Sequence, residues 1–475
     1  MDRDRRPDAT AARPASGRRA ADALSSSGVL AQDQPARAWR FAVAGLYLLI
    51  AGAFCAIVIW RFAIFRYAVD LGIFTQVVAG VGHGFSSTAE GGVNHLLVHW
   101  SPIVALAWPF VKAFGPEGLE LLQACAVAAT LLPIWGMASA RFRPRVAFAL
   151  TAICALYPLL CANAVGDFHE MAFVPLLSAC LVWAIDRRRF GWGILIAVLL
   201  ACTKEDQFLV LLWIGGVLTA FARADADLRR FGAIVAAIGV GMTGLYFGVV
   251  RHLLSPAMPY YALHFYDWTQ PVASSQPFVG PRVAYVLAIL GPLAFVPVFS
   301  RYALFLIPGF VEVFASHEPV VLSATSHYSA IFTGYALGAF VDGSAALAAR
   351  ARVFAASGAA CAALASIAVS IWASPMEYWY YLYRLPNAHD AKLAAMLDAL
   401  PKDGDIGTED ELFAHLAMDP NASIAFHGQR YFVYDRTQFS ARFRDVDLPA
   451  AQAALKHGTY AIVTQADGIT VIERR

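Results

Sequence analysis

Long apolar runs follow one another along most of the chain and leave few folds open to it. About eleven have spanning or near-spanning length, at residues 41–60, 118–138, 146–163, 171–185, 190–206, 207–222, 231–252, 283–300, 302–315, 329–346 and 352–373. A hydrocarbon core takes about 20 helical residues, and shorter helices are tolerated inside a bundle. Only 15% of the residues are charged, far fewer than a soluble fold of this size needs. We therefore predict an α-helical polytopic membrane protein with about 11 transmembrane helices.

Three parts of the chain differ in composition. Residues 1–40 are rich in Arg, Ala, Ser and Asp and have no apolar run, which predicts a disordered cytoplasmic tail. Residues 41–375 form the predicted multi-helix transmembrane domain. Residues 376–475 begin with the aromatic segment MEYWYYLYR, suited to the headgroup layer, and continue with ordinary charge. They contain a helical pattern at 390–399, a turn PKDGD and the β-like runs RYFVYD, YAIVTQ and ITVIE. They predict a small extracytoplasmic α/β domain that acts as a lid or a recognition module.

The orientation follows from the basic clusters. Lys and Arg concentrate in cytoplasmic loops, and six clusters alternate with the apolar runs. All six fall on the cytoplasmic side only if the run 96–114, interrupted by Pro102 and Pro109, does not span. We therefore predict a cytoplasmic N-terminus and an extracytoplasmic C-terminus. The net charge of +2 gives no reason to expect a nucleic-acid partner.

The other loops then face outward, and they hold nearly all the unusual polar groups. Ionisable residues within an apolar bundle are costly and indicate a functional site. The candidates are Asp70, His95, His99, Asp167, His169, Glu170, Lys204, Glu205, Asp206, His264, His317 and His327. The sequence contains no P-loop, GxSxG, HExxH or EF-hand motif, so no familiar soluble-enzyme site explains them.

Two acidic segments allow a catalytic and a structural interpretation. Asp70, in the first outer loop, suits a general base or a divalent-cation ligand, and the alternative is a cap on the helix of LGIFTQ. In DFHE, Asp167, His169 and Glu170 suit proton transfer or hard-ligand binding. Side chains one or two positions apart point in different directions on a regular helix. These three side chains can therefore point the same way only at a helix end, where the backbone bends. The alternative is that Asp167 caps the next helix and the other two are solvated.

The remaining candidates have the same two interpretations. Lys204 of TKEDQ is suited to hold a phosphate, or else forms a buried pair with a carboxylate. His95 and His99 have a metal-compatible spacing of four, or form an interfacial pair. His317, Glu318 and His327 carry a collective signal, and the alternative is that each is a solvated loop residue. His264 stands in another outward-facing loop.

Several segments resemble a known family. VDLGIFTQ, HLLVHWSPI, DFHEMAFVPLL, TKEDQFL and HYSAIFTGY are similar to motifs of the bacterial membrane proteins grouped as domain of unknown function 2079, from about residue 60 to the C-terminus. More distantly, the architecture is similar to the C-type (GT-C) glycosyltransferases, which include lipid-linked mannosyl and arabinosyl transferases. The resemblance implies an acidic residue in the first outer loop, matched by Asp70, and an interfacial helix, matched by 96–114. The paired acidic motif of that loop is absent, since Asp70 stands alone.

The resemblance implies a polyprenyl-phosphate sugar as donor. Together with the predicted orientation it leads us to expect a GT-C-like protein of the bacterial inner membrane that transfers a sugar from such a donor to an extracytoplasmic acceptor. Asp70 is assigned as the base, and His169 and Glu170 as catalytic partners. We expect these three side chains and Lys204 to line one outward-facing cavity. Asp167, Lys204, Glu205, Asp206 and the other histidines are assigned to substrate binding, with a divalent cation left open as cofactor. The alternatives are a transporter or flippase of a lipid-linked or anionic solute, and a non-catalytic membrane protein working through its C-terminal domain.

Overall fold

Every predicted apolar run contains helix in the structure. The computed structural model describes residues 37–222, 224–255, 258–269, 271, 277–372, 384–401, 404–437 and 442–475. The α-helices are α1 Arg37–Ala63, α2 Val69–Ala79, α3 Trp108–Phe114, α4 Glu117–Ala129, α5 Leu131–Ala138, α6 Pro144–Ala155, α7 Pro158–Val165, α8 Val174–Asp186, α9 Phe190–Ala201, α10 Asp206–Phe221, α11 Ala226–Thr243, α12 Arg251–Leu254, α13 Val279–Leu290, α14 Ile307–Ala315, α15 Ala330–Arg350, α16 Arg352–Trp372, α17 Ala388–Asp398, α18 Asp410–Leu416 and α19 Leu448–Lys456. The strands are β1 Ile406–Thr408, β2 Ser423–Ile424, β3 Tyr431–Asp435, β4 Tyr460–Ala466 and β5 Ile469–Arg474.

The helices divide into long and short ones. By length and composition, five helical segments of the described chain are suited to cross a membrane: Ala38–Ala63, Glu117–Ala138, Ala226–Leu254, His327–Arg350 and Arg352–Val369. The pair α6 and α7, bent by 54°, makes a sixth if it counts as one span. Other apolar helices have 10–17 residues. The count of about eleven spanning helices therefore stays a prediction.

The run 96–114 is folded as the sequence suggested, in short pieces. It contains the 3-10 helix Pro102–Ala107 and then α3. Together these are roughly 20 Å long, less than the thickness of the hydrocarbon core. Pro102 and Pro109 each stand in the first turn of a helix, where a missing N–H costs no hydrogen bond.

Small residues allow the central helices to approach closely. A Cβ atom on Gly334 of α15 would lie 2.0 Å from Ser178 Oγ of α8, so only glycine fits at that crossing. Close contact through small residues is the usual way in which helices associate in membranes. Nearly all of the first half of α15 is buried, which makes it the central helix of the bundle.

One end of the bundle is tied by an ion network. Arg141 Nη1 donates to Asp186 at 2.7 Å, and Arg141 Nη2 donates to Asp342 at 3.0 Å. Arg301 Nη2 also donates to Asp186, at 2.7 Å. Asp186 is the last residue of α8, whereas the DFHE segment comes just before the start of that helix. The helix is roughly 20 Å long. The arginine network and the DFHE segment thus lie at opposite ends of the helices.

The C-terminal part contains a five-stranded mixed sheet of order β2-β1-β3-β5-β4. Strand β1 runs parallel to β2 and β3, and β5 runs antiparallel to β3 and β4. The sequence predicted α17, β3, β4 and β5 but missed β1, β2, α18 and α19. An Asn387–Asp390 capping box begins α17, which explains the start of that helix.

Helix α18 fixes this domain against α2. Phe413 of α18 is fully buried, and a Cβ atom on Gly72 of α2 would lie 2.2 Å from its ring. His415 stacks between Phe62 and Phe65, with ring centroids 3.9 and 4.0 Å away. Burial there lowers the pKa of His415 to about 3, so the imidazole docks uncharged.

Hydrogen bonds complete the contact between the C-terminal domain and α2. Gln76 Nε2 donates to the carbonyl oxygens of Asp419 and Ala422 at 3.1 and 2.9 Å. Residues 1–36 of the predicted tail, residues 376–383 of MEYWYYLYR and residues 402–403 of the predicted turn PKDGD lie outside the described residues.

Candidate functional site

The polar segments converge at the end of the bundle opposite the arginine network. They surround a cavity of about 610 Å³, named here the polar cavity. The polar side chains that line it are Arg61, Arg66, Tyr67, Asp70, Gln123, Asn163, Asp167, His169, Ser323, Thr325, Ser326, His327 and Glu411. The structure therefore brings Asp70 together with Asp167, His169 and His327.

Asp167, the first residue of the DFHE segment, connects that segment to the loop after α1. Its Oδ2 accepts a hydrogen bond from the backbone amide of Ala68 at 2.6 Å, and its Oδ1 lies 3.4 Å from Arg61 Nη2. Ala68 is the N-cap residue of α2, so Asp167 caps that helix from a distant segment. The alternatives that Asp70 caps α2 and that Asp167 caps its own following helix are both wrong, because the N-caps there are Ala68 and His169.

Arg61 is the buried centre of this junction. It is 2% exposed, its Nη1 donates to the carbonyl of Val165, and its Nη2 donates to the carbonyl of Arg66 at 2.6 Å. Its guanidinium lies over the Tyr67 ring, 4.2 Å from the centroid. Five donors in a planar fork allow one arginine to hold several acceptors, which fixes the loop that carries Asp70.

Asp70 has an environment that suits a general base. It lies in the first turn of α2, between the first spanning helix and the next. Burial raises its pKa to about 7; the nearby carboxylates Asp167 and Glu170 act in the same direction, and Lys204 opposes them. A carboxyl group with a pKa near neutrality exchanges protons readily at physiological pH.

Glu170 is fully buried where three segments meet. His169 Nδ1 lies 2.8 Å from one carboxylate oxygen of Glu170, and Lys204 Nζ lies 3.3 Å from the other. The His169 ring stacks on His327, with centroids 3.6 Å apart and planes 10° apart. The predicted alternative of a buried pair between Lys204 and a carboxylate is therefore confirmed. Backbone extension at His169 allows the three DFHE side chains to point to different partners.

Glu205 organises the neighbouring segment. Its Oε1 lies 2.8 Å from His99 Nδ1 and accepts a hydrogen bond from the Tyr260 hydroxyl. Its Oε2 accepts from the backbone amide of Trp100 at 2.8 Å. Both carboxylate oxygens are thus engaged, and the HLLVHW segment is fastened to TKED.

A second cavity, named here the apolar cavity, begins at the other side of Glu170 and occupies about 640 Å³. Most of its lining is apolar, and its polar members are His99, Lys204, Glu205, Asp206, Thr243, Tyr260, Tyr266, Glu312 and Tyr328. Lys204 Nζ lies 4.9 Å from the centroid of the Tyr328 ring. Lys204 therefore faces a different cavity from Asp70, and the buried Glu170 stands between them.

Three of the predicted histidines are placed elsewhere. His95 is buried and its Nδ1 lies 2.9 Å from Glu90, on the far side of Phe74 from the polar cavity. His317 is buried, with Nε2 2.8 Å from the carbonyl oxygen of His264. His264 itself is exposed. None of the three is among the described residues that line either cavity.

The donor atoms do not fit a divalent cation. In the part of the chain that the structure describes, no three His, Cys, Asp or Glu residues are placed so that they could hold a metal ion. Asp167, Glu170 and Glu205 are each engaged by arginine, lysine or histidine.

The sequence analysis missed four residues of this region. Arg61 and Arg66 follow the first apolar run at the end opposite to the other arginine clusters, and this exception to the charge pattern was a usable signal. Glu120 stands inside an apolar run and accepts from the Phe168 amide at 2.8 Å. Glu411, from the C-terminal domain, had no signal in the sequence.

The sequence motifs and this geometry agree with the comparisons to known proteins. Residues 61–471 match the predicted membrane proteins described as DUF2079. The chain belongs to this family. The predicted family membership is thereby confirmed, and the chain is a multi-pass membrane protein. No curated protein matches it.

Two solved structures match this DUF2079 member over nearly its whole length. ArnT from Cupriavidus metallidurans bound to undecaprenyl phosphate gives a TM-score of 0.58 at 11% identity, covering 92% of this chain and 98% of ArnT. ArnT in the apo state gives 0.57 at 13% identity, covering 91% and 98%. The predicted similarity to GT-C glycosyltransferases is therefore confirmed at the level of the fold.

Proposed function

We propose that this DUF2079 protein transfers a sugar from a polyprenyl-phosphate donor to an acceptor hydroxyl on the extracytoplasmic side of the bacterial inner membrane. The observation that carries the proposal is the pair of adjoining cavities. One is polar and contains a carboxyl group suited to be a base, and the other is apolar and has a lysine at its edge. A lipid-linked sugar needs the same two environments.

The apolar cavity suits the lipid part of the donor. Phe247, Leu209 and Val311 are among the side chains that would contact a prenyl chain. Lys204, a compact charge with three donors, would bind the phosphate, with the hydroxyl groups of nearby tyrosines as further donors. Asp206, one of whose carboxylate oxygens is buried without a hydrogen-bond partner among the described residues, would accept from a sugar hydroxyl.

The transfer is an inverting displacement, in which the sugar of the donor extends from the apolar cavity past Glu170 into the polar cavity. Asp70 takes the proton of the acceptor hydroxyl, whose oxygen forms a bond to the anomeric carbon of the sugar. The bond from that carbon to the phosphate oxygen breaks, and its electron pair leaves with the polyprenyl phosphate. Lys204 stabilises the charge that this phosphate gains.

The other assigned groups act as positioning residues. Asp167 and Arg61 hold the loop that carries Asp70, and Glu170 holds Lys204 at its second carboxylate oxygen. His169, which lines the polar cavity and contacts Glu170, would orient the acceptor. Both cavities lie near the same end of the helices, which favours transfer on one side of the membrane over passage across it.

The direct test of the function is donor turnover by the purified full chain in lipid nanodiscs. With undecaprenyl-phosphate sugars as donors and an envelope extract as acceptor source, we expect release of undecaprenyl phosphate, measured by mass spectrometry of the lipids. Addition of free undecaprenyl phosphate should inhibit competitively. If the intact protein neither released nor bound the lipid phosphate, the proposal would be contradicted.

The pH dependence of turnover should report Asp70. Only the ionised carboxylate accepts a proton, and the pKa of this group is raised to about 7. Below pH 7 the value of kcat/KM should therefore fall about tenfold per pH unit, and above it the value should level off. Rates measured from pH 5 to 9 in nanodiscs check this. A profile that is flat between pH 5 and 7 would show that Asp70 is not the base.

A further inference from the structure

The C-terminal domain contributes one side chain to the wall of the polar cavity. Glu411 of α18 lines it together with Asp70, Asp167 and Arg66. One of its carboxylate oxygens is buried and has no hydrogen-bond partner among the described residues. An acceptor atom that is buried and unsatisfied costs free energy unless a ligand donates to it.

The position of Glu411 is fixed by the docking of α18. Two residues along the chain, Phe413 packs against Gly72, which is itself two residues from Asp70. His415 is held between the rings of Phe62, in the last turn of α1, and Phe65, just after that helix. Glu411 is therefore held on α18 against α2, the helix that carries the proposed base, and side chains on such a rigid support can select a ligand.

The chemistry of the cavity wall indicates the class of ligand. Besides carboxylates it offers the amides of Gln123 and Asn163 and the hydroxyls of Ser323 and Ser326. His169, which lines the same cavity, is 7% exposed. Hydrogen-bond acceptors and donors that line one cavity match a molecule with many hydroxyl groups, each of which both donates and accepts.

We propose that Glu411 binds the acceptor, that this acceptor is a carbohydrate, and that the C-terminal domain thereby helps to select it. The acceptor role rests on the proposed sugar transfer, whereas carbohydrate binding in the polar cavity does not. Glu411 accepts hydrogen bonds from the hydroxyl groups of the ligand. The lipid and phosphate of the donor occupy the apolar cavity, out of contact with Glu411.

The test is ligand binding by the full chain in nanodiscs, with a panel of mono- and disaccharides as probes and saturation-transfer NMR and calorimetry as readouts. At least one saccharide should bind the wild-type protein. Glu411→Gln should weaken that binding about tenfold or more, since it removes a charged acceptor. The control variant Asp398→Asn changes an exposed carboxylate of the same domain and should leave saccharide binding unchanged.

Undecaprenyl phosphate serves as the second probe and separates a local effect from misfolding. Its affinity should be the same in Glu411→Gln as in wild type, because Lys204 is in the other cavity. If no saccharide binds, or if Glu411→Gln binds it as wild type does, the inference is overturned. If saccharide binding depends on Glu411 but no donor is consumed, the proposed transfer fails and the binding site stands.

Discussion

Replacing Asp70 by asparagine is expected to reduce donor turnover by about 10²- to 10⁴-fold, the range that a positioned general base contributes. Asparagine keeps the size of the side chain and most of its hydrogen-bonding capacity, but it cannot take the proton of the acceptor hydroxyl. The loss should be in kcat, because the group acts on the reacting atom rather than on binding. Release of polyprenyl phosphate by the purified variant measures it.

Two controls make this result specific. The affinity of the Asp70→Asn variant for polyprenyl phosphate should equal that of wild type, since the lipid phosphate is bound in the other cavity. Asp227→Asn, which changes a carboxylate that is 80% exposed and lies outside both cavities, should turn over at the normal rate. If the Asp70→Asn variant retained more than a tenth of the wild-type rate, Asp70 would not be the general base.

Lys204 is the second position where a large effect is expected. In Lys204→Met the carboxylate of Glu170, fully buried, loses its lysine partner at 3.3 Å and keeps only His169. Removing one partner of a buried ion pair typically destabilises a protein by about 3–5 kcal/mol. The variant should therefore unfold at a lower temperature and bind polyprenyl phosphate about 10- to 100-fold more weakly. Thermal unfolding and lipid binding in nanodiscs measure the two effects.

A double variant separates stability from binding. Lys204→Met combined with Glu170→Gln removes both charges, so the buried carboxylate is no longer left without its lysine. We expect this pair to recover most of the lost thermal stability, because neutral replacements of a buried pair are often well tolerated. Its affinity for polyprenyl phosphate should stay low. Recovery of lipid binding along with stability would show that Lys204 has only a structural role.

These two residues show how far sequence reasoning reached. Asp70 and Lys204 were chosen because a charge in an apolar chain is costly, and both line cavities. The prediction that they line one cavity was wrong, because Asp70 lines the polar cavity and Lys204 the apolar one. Glu170 lies between His169 and Lys204, and its burial follows from how α4, α8 and α15 pack around it.

The histidines show the opposite outcome. Their spacing of four suggested that His95 and His99 act together, yet each contacts its own carboxylate, Glu90 and Glu205. The segment contains a single turn of 3-10 helix rather than the α-helix that the spacing assumes. A pattern of spacing predicts a shared face only when the local backbone is known.

The sequence alone determined the class of this protein and predicted that its unusual polar groups gather at one end of the bundle. Hydropathy and charge act through local transfer free energies, so apolar runs, arginine clusters and polar loops can be recognised without tertiary structure. Only the fold decided which polar residues meet. Arg61 and Asp167 are 106 positions apart, and Glu411 comes from the far C-terminal domain, so their neighbourhood in the polar cavity depends on helix packing and domain docking.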